Sequence, residues 1–152
     1  MLPAARLLTV CTLPLVALAL SGSASPAPAG SGALDIEITG IRSAQGVVRL
    51  ALCPPRSGFP DCGASVIRST SAPAGRGHLR FHLADLPEGP LAVSVFHDAN
   101  GNGRMDSFVG IPREGYGFSG NPPFRPRAPR FEEAQLNLSG HSSITISLRY
   151  LL

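Results

Sequence analysis

Apolar residues alternate with polar ones in short runs along most of the chain: Leu34, Ile36 and Ile38, then Val48, Leu50 and Leu52, then Leu79, Phe81 and Leu83. A period of two places successive side chains on opposite faces of an extended backbone, so each run predicts a half-buried β-strand. Four more strands are expected at Ser65–Ser69, Leu91–His97, Gln135–Leu138 and Ile144–Tyr150. Between the runs lie turn segments, Ser43-Ala44-Gln45-Gly46, Leu86-Pro87-Glu88-Gly89 and Leu138-Ser139-Gly140, and no segment sustains a helical period. About seven short strands in one small domain predict an all-β fold, an antiparallel β-sandwich.

The first residues follow a different pattern. Arg6 precedes an apolar stretch from Leu7 to Leu20 and then a run of small residues and prolines from Ser21 to Gly30. This is the pattern of a secretory signal peptide over residues 1–29, with cleavage after Ala24 or Ala29, and it predicts a periplasmic or secreted product. The apolar stretch is short for a membrane span and is broken by Thr12 and Pro14. Val10 stands before Cys11 where a lipoprotein signal wants a small residue. Residues 30–152 are expected to form a single domain, monomeric and without a transmembrane segment, since about 120 residues bury one modest core.

Charge adds little. All 13 basic residues are arginines against 10 acids, and without Arg6 the mature chain is nearly neutral. The arginines are scattered, so no nucleic-acid partner is expected. Cys53 and Cys62 are the even pair left after processing, and in an exported chain they predict a disulfide that contributes about 2–3 kcal/mol by restricting the unfolded state. Their spacing lacks the two-residue gap of a redox-active motif.

The candidate chemistry lies in one segment. His97-Asp98-Ala99-Asn100-Gly101-Asn102-Gly103-Arg104-Met105-Asp106 offers oxygen donors at alternate positions, with a glycine where an EF-hand loop turns sharply. The expected calcium ligands are Asp98, Asn100, Asn102, the Arg104 carbonyl and Asp106. Val109 occupies the twelfth position, where an EF-hand places a bidentate glutamate, so Glu114 folding back, or water, would have to complete the shell. Two formal charges from Asp98 and Asp106 predict weak affinity, roughly 0.1–1 mM. A metal-free loop, in which Asp and Asn side chains bond their own backbone, is the alternative.

The loop continues through five prolines to Glu133 with no clear alternation, and long loops of this kind are commonly functional. Phe108, Tyr116, Phe118 and Phe124 are expected to bury part of it against the sandwich. His97, Tyr116 and Phe118 mark a surface where a protein, peptide or glycan partner would dock. His97 shares the inward register of Val93 and Val95, which predicts a structural histidine. An acid–base cluster of His97, Glu114 and Tyr116 is the enzymatic alternative, but no nucleophile or zinc motif accompanies it. Arg125, Arg127 and Arg130 offer an anionic-lipid or glycan contact, with Glu132 and Glu133 available to neutralise them. His78 and His82 sit four apart on a strand, too far to share a metal.

Three stretches together, Leu86–Gly89, Val93–Gly103 and Gly110–Ser119, give the chain its resemblance to a bacterial family catalogued as domain of unknown function 2141. The resemblance spans nearly all of the mature chain. It implies an exported single domain with an immunoglobulin-like or prealbumin-like β fold, and it implies no activity, substrate or partner. Arg104 stands where many members carry lysine, and Cys53 and Cys62 are additional to the family pattern.

Overall fold

A computed structural model describes residues 31–152. The expected signal peptide and Cys11 lie outside the described residues. Ten strands, a 3-10 turn and one short α-helical turn follow in chain order: β1 (Ser31–Ile41), β2 (Val47–Cys53), the 3-10 turn (Gly63–Ser65), β3 (Arg68–Pro73), β4 (Gly77–Pro87), β5 (Gly89–Asp98), β6 (Ser107–Phe108), β7 (Ile111–Pro112), β8 (Gly115–Phe118), α1 (Phe131–Ala134), β9 (Gln135–Leu138) and β10 (His141–Ser147). They form an all-β sandwich.

One sheet has the order β10–β1–β4 and the other β3–β2–β5, with β8 and β9 sharing the far edge of β5. The alternation in sequence becomes the core. Leu34, Ile36 and Ile38 from β1 face Val48, Leu50, Leu52, Val93 and Val95 from the second sheet, all buried. Each such side chain contributes about 1.5–3 kcal/mol relative to exposure, so the facing rows fix the register of both sheets.

One pairing departs from the antiparallel expectation. The first and last strands, β1 and β10, run parallel, from Ala33↔His141 to Thr39↔Ser147. Strands at opposite ends of the chain need no local crossover to pair this way. Beyond β10 the chain bridges to β8: the Tyr116 and Arg149 backbones exchange hydrogen bonds of 2.9 and 2.8 Å, which closes one edge of the sandwich.

Two expected strands are displaced. The segment predicted at Ser65–Ser69 holds a 3-10 turn over Gly63–Ser65, with β3 beginning at Arg68, and the last strand ends at Ser147 rather than Tyr150. A second apolar cluster lies outside the main core, where Phe59, Ala92, Phe118, Phe131 and Ala134 pack together. Between β8 and β9 the ladder of β5 is carried by Ser119. Its hydroxyl accepts from Val93 N–H (2.8 Å) and donates to the Ala134 carbonyl. Among the described residues no helix is long and apolar enough to cross a membrane.

Candidate functional site

The loop after β5 is built around Asp98, whose side chain is fully buried. One carboxylate oxygen accepts the Asn102 N–H (3.0 Å), and the other accepts the Gly103 N–H (2.9 Å) and Arg49 Nε (2.6 Å). Gly103 turns the chain with a φ of 82°, a conformation favoured by glycine, and this aims its N–H back at the first loop residue. Asn100 and Asn102 form successive Asx turns, accepting the N–H groups of Asn102 (3.1 Å) and Arg104 (3.0 Å). Their amide nitrogens both donate to the Asp106 carboxylate, at 2.7 Å from Asn100 and 3.0–3.1 Å from Asn102. Glu114 does fold back: its two oxygens accept the N–H groups of Ala99 and Asp106, each at 3.1 Å.

These contacts set the electrostatics. Burial pushes the Asp98 carboxyl up, but the Arg49 guanidinium and the Gly103 N–H outweigh it, and the group titrates below its usual 3.8. Asp106 is also lowered, first by the Asn100 and Asn102 amides and then by the nearby charges of Arg104 and Arg113. Three carboxylates, Asp98, Asp106 and Glu114, thus hold the loop from the inside. Among the described residues, no group of three or more His, Cys, Asp and Glu side chains has the arrangement of a metal site, so cation ligation here would draw on amide and main-chain oxygens as well.

The other expected site residues are placed differently. His97 is buried and satisfied: its Nε2 meets the Gln45 carbonyl and its Nδ1 the Tyr150 hydroxyl, both at 2.8 Å. A carbonyl only accepts, so Nε2 carries the proton of the neutral ring and Nδ1 takes the hydrogen bond from Tyr150. Glu114 is engaged with the loop backbone, and no hydrogen bond joins it to His97. Tyr116 pairs with Phe96 across β5 and β8, which puts it on the sheet face opposite His97, and among the described residues no hydrogen bond joins His97, Glu114 and Tyr116.

Tyr116 and Phe118 are half-buried in an aromatic row, 5.7 Å apart, with Phe59 at 5.6 Å from Phe118. They line a shallow groove with Pro122, Pro123 and Phe124. Contrary to the expectation that four aromatics bury this segment, Phe108 and Phe124 remain 63% and 57% exposed.

Arg127 pairs with Glu133 (2.7 and 2.9 Å) and Arg125 lies 3.6 Å from the same carboxylate. Glu133 is lowered to about 2, first by Arg127 and then by the Arg130 N–H. Arg125 and Arg127 thus share one carboxylate, while Arg130 meets it only through its backbone N–H. His82 does not pair with His78; on the outer sheet face it joins Asp35, which also takes His141, both at 2.6 Å.

Cys53 and Cys62 are joined, with Cα atoms 5.7 Å apart, and both are buried. Sequence reasoning did not single out Arg49, which anchors Asp98 from β2, nor Asp35 and His141. Their strand positions read only as outward-facing residues, and the partners lie far away in sequence.

No curated protein and no solved structure matches the chain. One family model does, over residues 36–146, and its description reads "Uncharacterized protein conserved in bacteria (DUF2141)". That span takes in β2 to β9 and the whole Asp98–Glu114 loop, with β1 from Ile36 onward and β10 up to Ile146, and so the chain belongs to this bacterial family.

Proposed function

We propose that the protein is an exported, non-catalytic binding or structural module whose Asp98–Glu114 loop takes one calcium ion. The observation that supports this reading is the convergence of Asp98, Asn100, Asn102 and Asp106 on one another, in EF-hand order, with the Gly103 N–H turned onto Asp98. Two amide N–H groups point at the Asp106 carboxylate, where positive charge is favoured. A cation would displace the two amide nitrogens from the Asp106 carboxylate, while the Asn100 and Asn102 oxygens, which accept the Asn102 and Arg104 N–H groups, each keep a second lone pair to offer it. Glu114 stabilises the loop backbone instead of supplying the bidentate ligand of an EF-hand. Arg49 places a positive charge against Asp98, which keeps the affinity in the weak extracellular range, roughly 0.1–1 mM. The ion would rigidify the loop beside the Tyr116–Phe118 groove, where a peptide, protein or glycan partner docks.

Calorimetric titration of calcium into chelator-stripped mature protein tests this. Saturable heat that disappears in Asp106→Ala, with a rise in melting temperature for the unaltered protein alone, is the expected result. Absence of heat and of any thermal shift at millimolar calcium would reduce the loop to turn chemistry.

A further inference from the structure

Within the second half of the Asp98–Glu114 loop the chain makes a two-stranded finger, β6 and β7, with Val109 and Gly110 at its tip. Both tip residues have positive φ, 51° and 74°, the geometry of a tight hairpin turn that asparagine or glycine serves without strain. A β-branched valine in that conformation is an outlier, and it is also 84% exposed. Phe108 and Ile111 pair across the finger and are 63% and 42% exposed, so three large apolar side chains crowd one convex tip. Folding does not explain them: they belong to neither apolar cluster.

The rim of the finger is cationic. Arg113 follows β7 directly and its N–H donates to the Asp106 carbonyl (2.9 Å), while Arg104 is exposed with its Nε 3.9 Å from Asp106. Asp106 lies within 3.9 Å of Arg104 but has a side chain only 32% exposed against 80% for Arg104, and Glu114 is buried, so the charges that face solvent around the finger are the two guanidiniums. An apolar tip with a positive rim is complementary to a surface that is anionic at its polar layer and apolar beneath it.

We propose that the Phe108–Ile111 finger inserts into anionic lipid surfaces, with Arg104 and Arg113 meeting the headgroups. This goes beyond the calcium reading and does not depend on it, because the tip is exposed and its rim cationic without any ion.

The chain contains no tryptophan, so Phe108→Trp supplies a single reporter. The expected results are a blue shift of its emission with vesicles of mixed phosphatidylcholine and phosphatidylglycerol, a weaker one with phosphatidylcholine alone, and loss of the signal at high salt. Val109→Asn relieves the strained turn while removing an apolar contact. In flotation assays it should weaken vesicle binding about three- to tenfold, with melting temperature unchanged or raised. Arg104→Ser with Arg113→Ser should weaken binding to the anionic vesicles only.

The proposal is overturned by an emission that does not move with either vesicle, or by vesicle binding that Val109→Asn leaves intact. Self-association without vesicle binding, abolished by Val109→Asn, would also overturn it, by making the finger a protein contact. Calcium titration of Val109→Asn separates the two readings, since its calcium response should match that of the unaltered protein whatever the lipid result.

Discussion

Two loops of this domain are closed by opposite means. The loop from Cys53 to Cys62 is tied covalently at the end of β2, whereas the loop from Asp98 to Glu114 is tied by carboxylates that accept its own N–H groups. A covalent tie acts mainly by restricting the unfolded chain and is indifferent to protons and cations. A carboxylate tie acts in the folded state, and the oxygens that accept N–H groups are the kind that calcium seeks. The first loop is therefore built for permanence, and under the proposed function the second would be open to exchange.

The largest effect expected from breaking this contrast is at Asp98. Asp98→Ala leaves Arg49 and the N–H groups of Asn102 and Gly103 without their buried acceptor, and should cost about 3 kcal/mol in chemical denaturation. Removing the other tie with Cys53→Ser and Cys62→Ser should cost about 2–3 kcal/mol, and should leave the calcium response of the second loop unchanged. Glu114→Gln turns one acceptor into a donor facing an N–H, and a loss of about 1–2 kcal/mol is expected.

Acid should separate the loops with the smallest effect. The carboxyls of Asp98 and Asp106 both titrate below the usual 3.8, so their stabilisation is complete above that value and is lost as pH falls below it, through their lowered values. Hydrogen exchange in this acid range should rise first at Asn102 and Gly103, with the Cys53–Cys62 loop unaffected.

The same contrast shows what was legible in the sequence. β1, β2, β4 and β5 were readable because their inward positions carry large apolar residues at period two, and β9 fell at its predicted position. β8 was not readable, because its inward positions are Gly115 and Gly117. A Cβ on Gly115 would stand 2.2 Å from the Tyr150 ring, and one on Gly117 would stand 2.7 Å from Ile146, so the strand packs by having no side chain. The parallel pairing of β1 with β10 leaves no local trace either, since alternation fixes which face is buried but not which strand lies alongside.

At the site, the order of oxygen donors after Val95 marked the loop, but nearness in sequence suggested Glu114, or water in its stead, only as a ligand to complete a calcium shell, and its part as acceptor of the Ala99 and Asp106 N–H groups was not legible. The anchor Arg49 was not legible either, because it approaches Asp98 from β2 across 49 residues. Phe108 and Phe124 were expected inside on hydrophobicity alone. Phe108 is carried outward by the β6–β7 pairing, which alternation does not reveal, and Phe124 sits among prolines on the groove rather than under the sheet.

Nitrogen-15 NMR of the mature protein during calcium addition tests the central claim most directly, that the Asp98–Glu114 loop is a clasp a cation can take over. The account predicts saturable shifts confined to the backbone of residues 98–106 and the side-chain amides of Asn100 and Asn102, with Cys53–Cys62 unmoved. Spectra that stay superimposable at millimolar calcium would contradict it, and the loop would then be a closed turn whose carboxylates serve its own backbone alone.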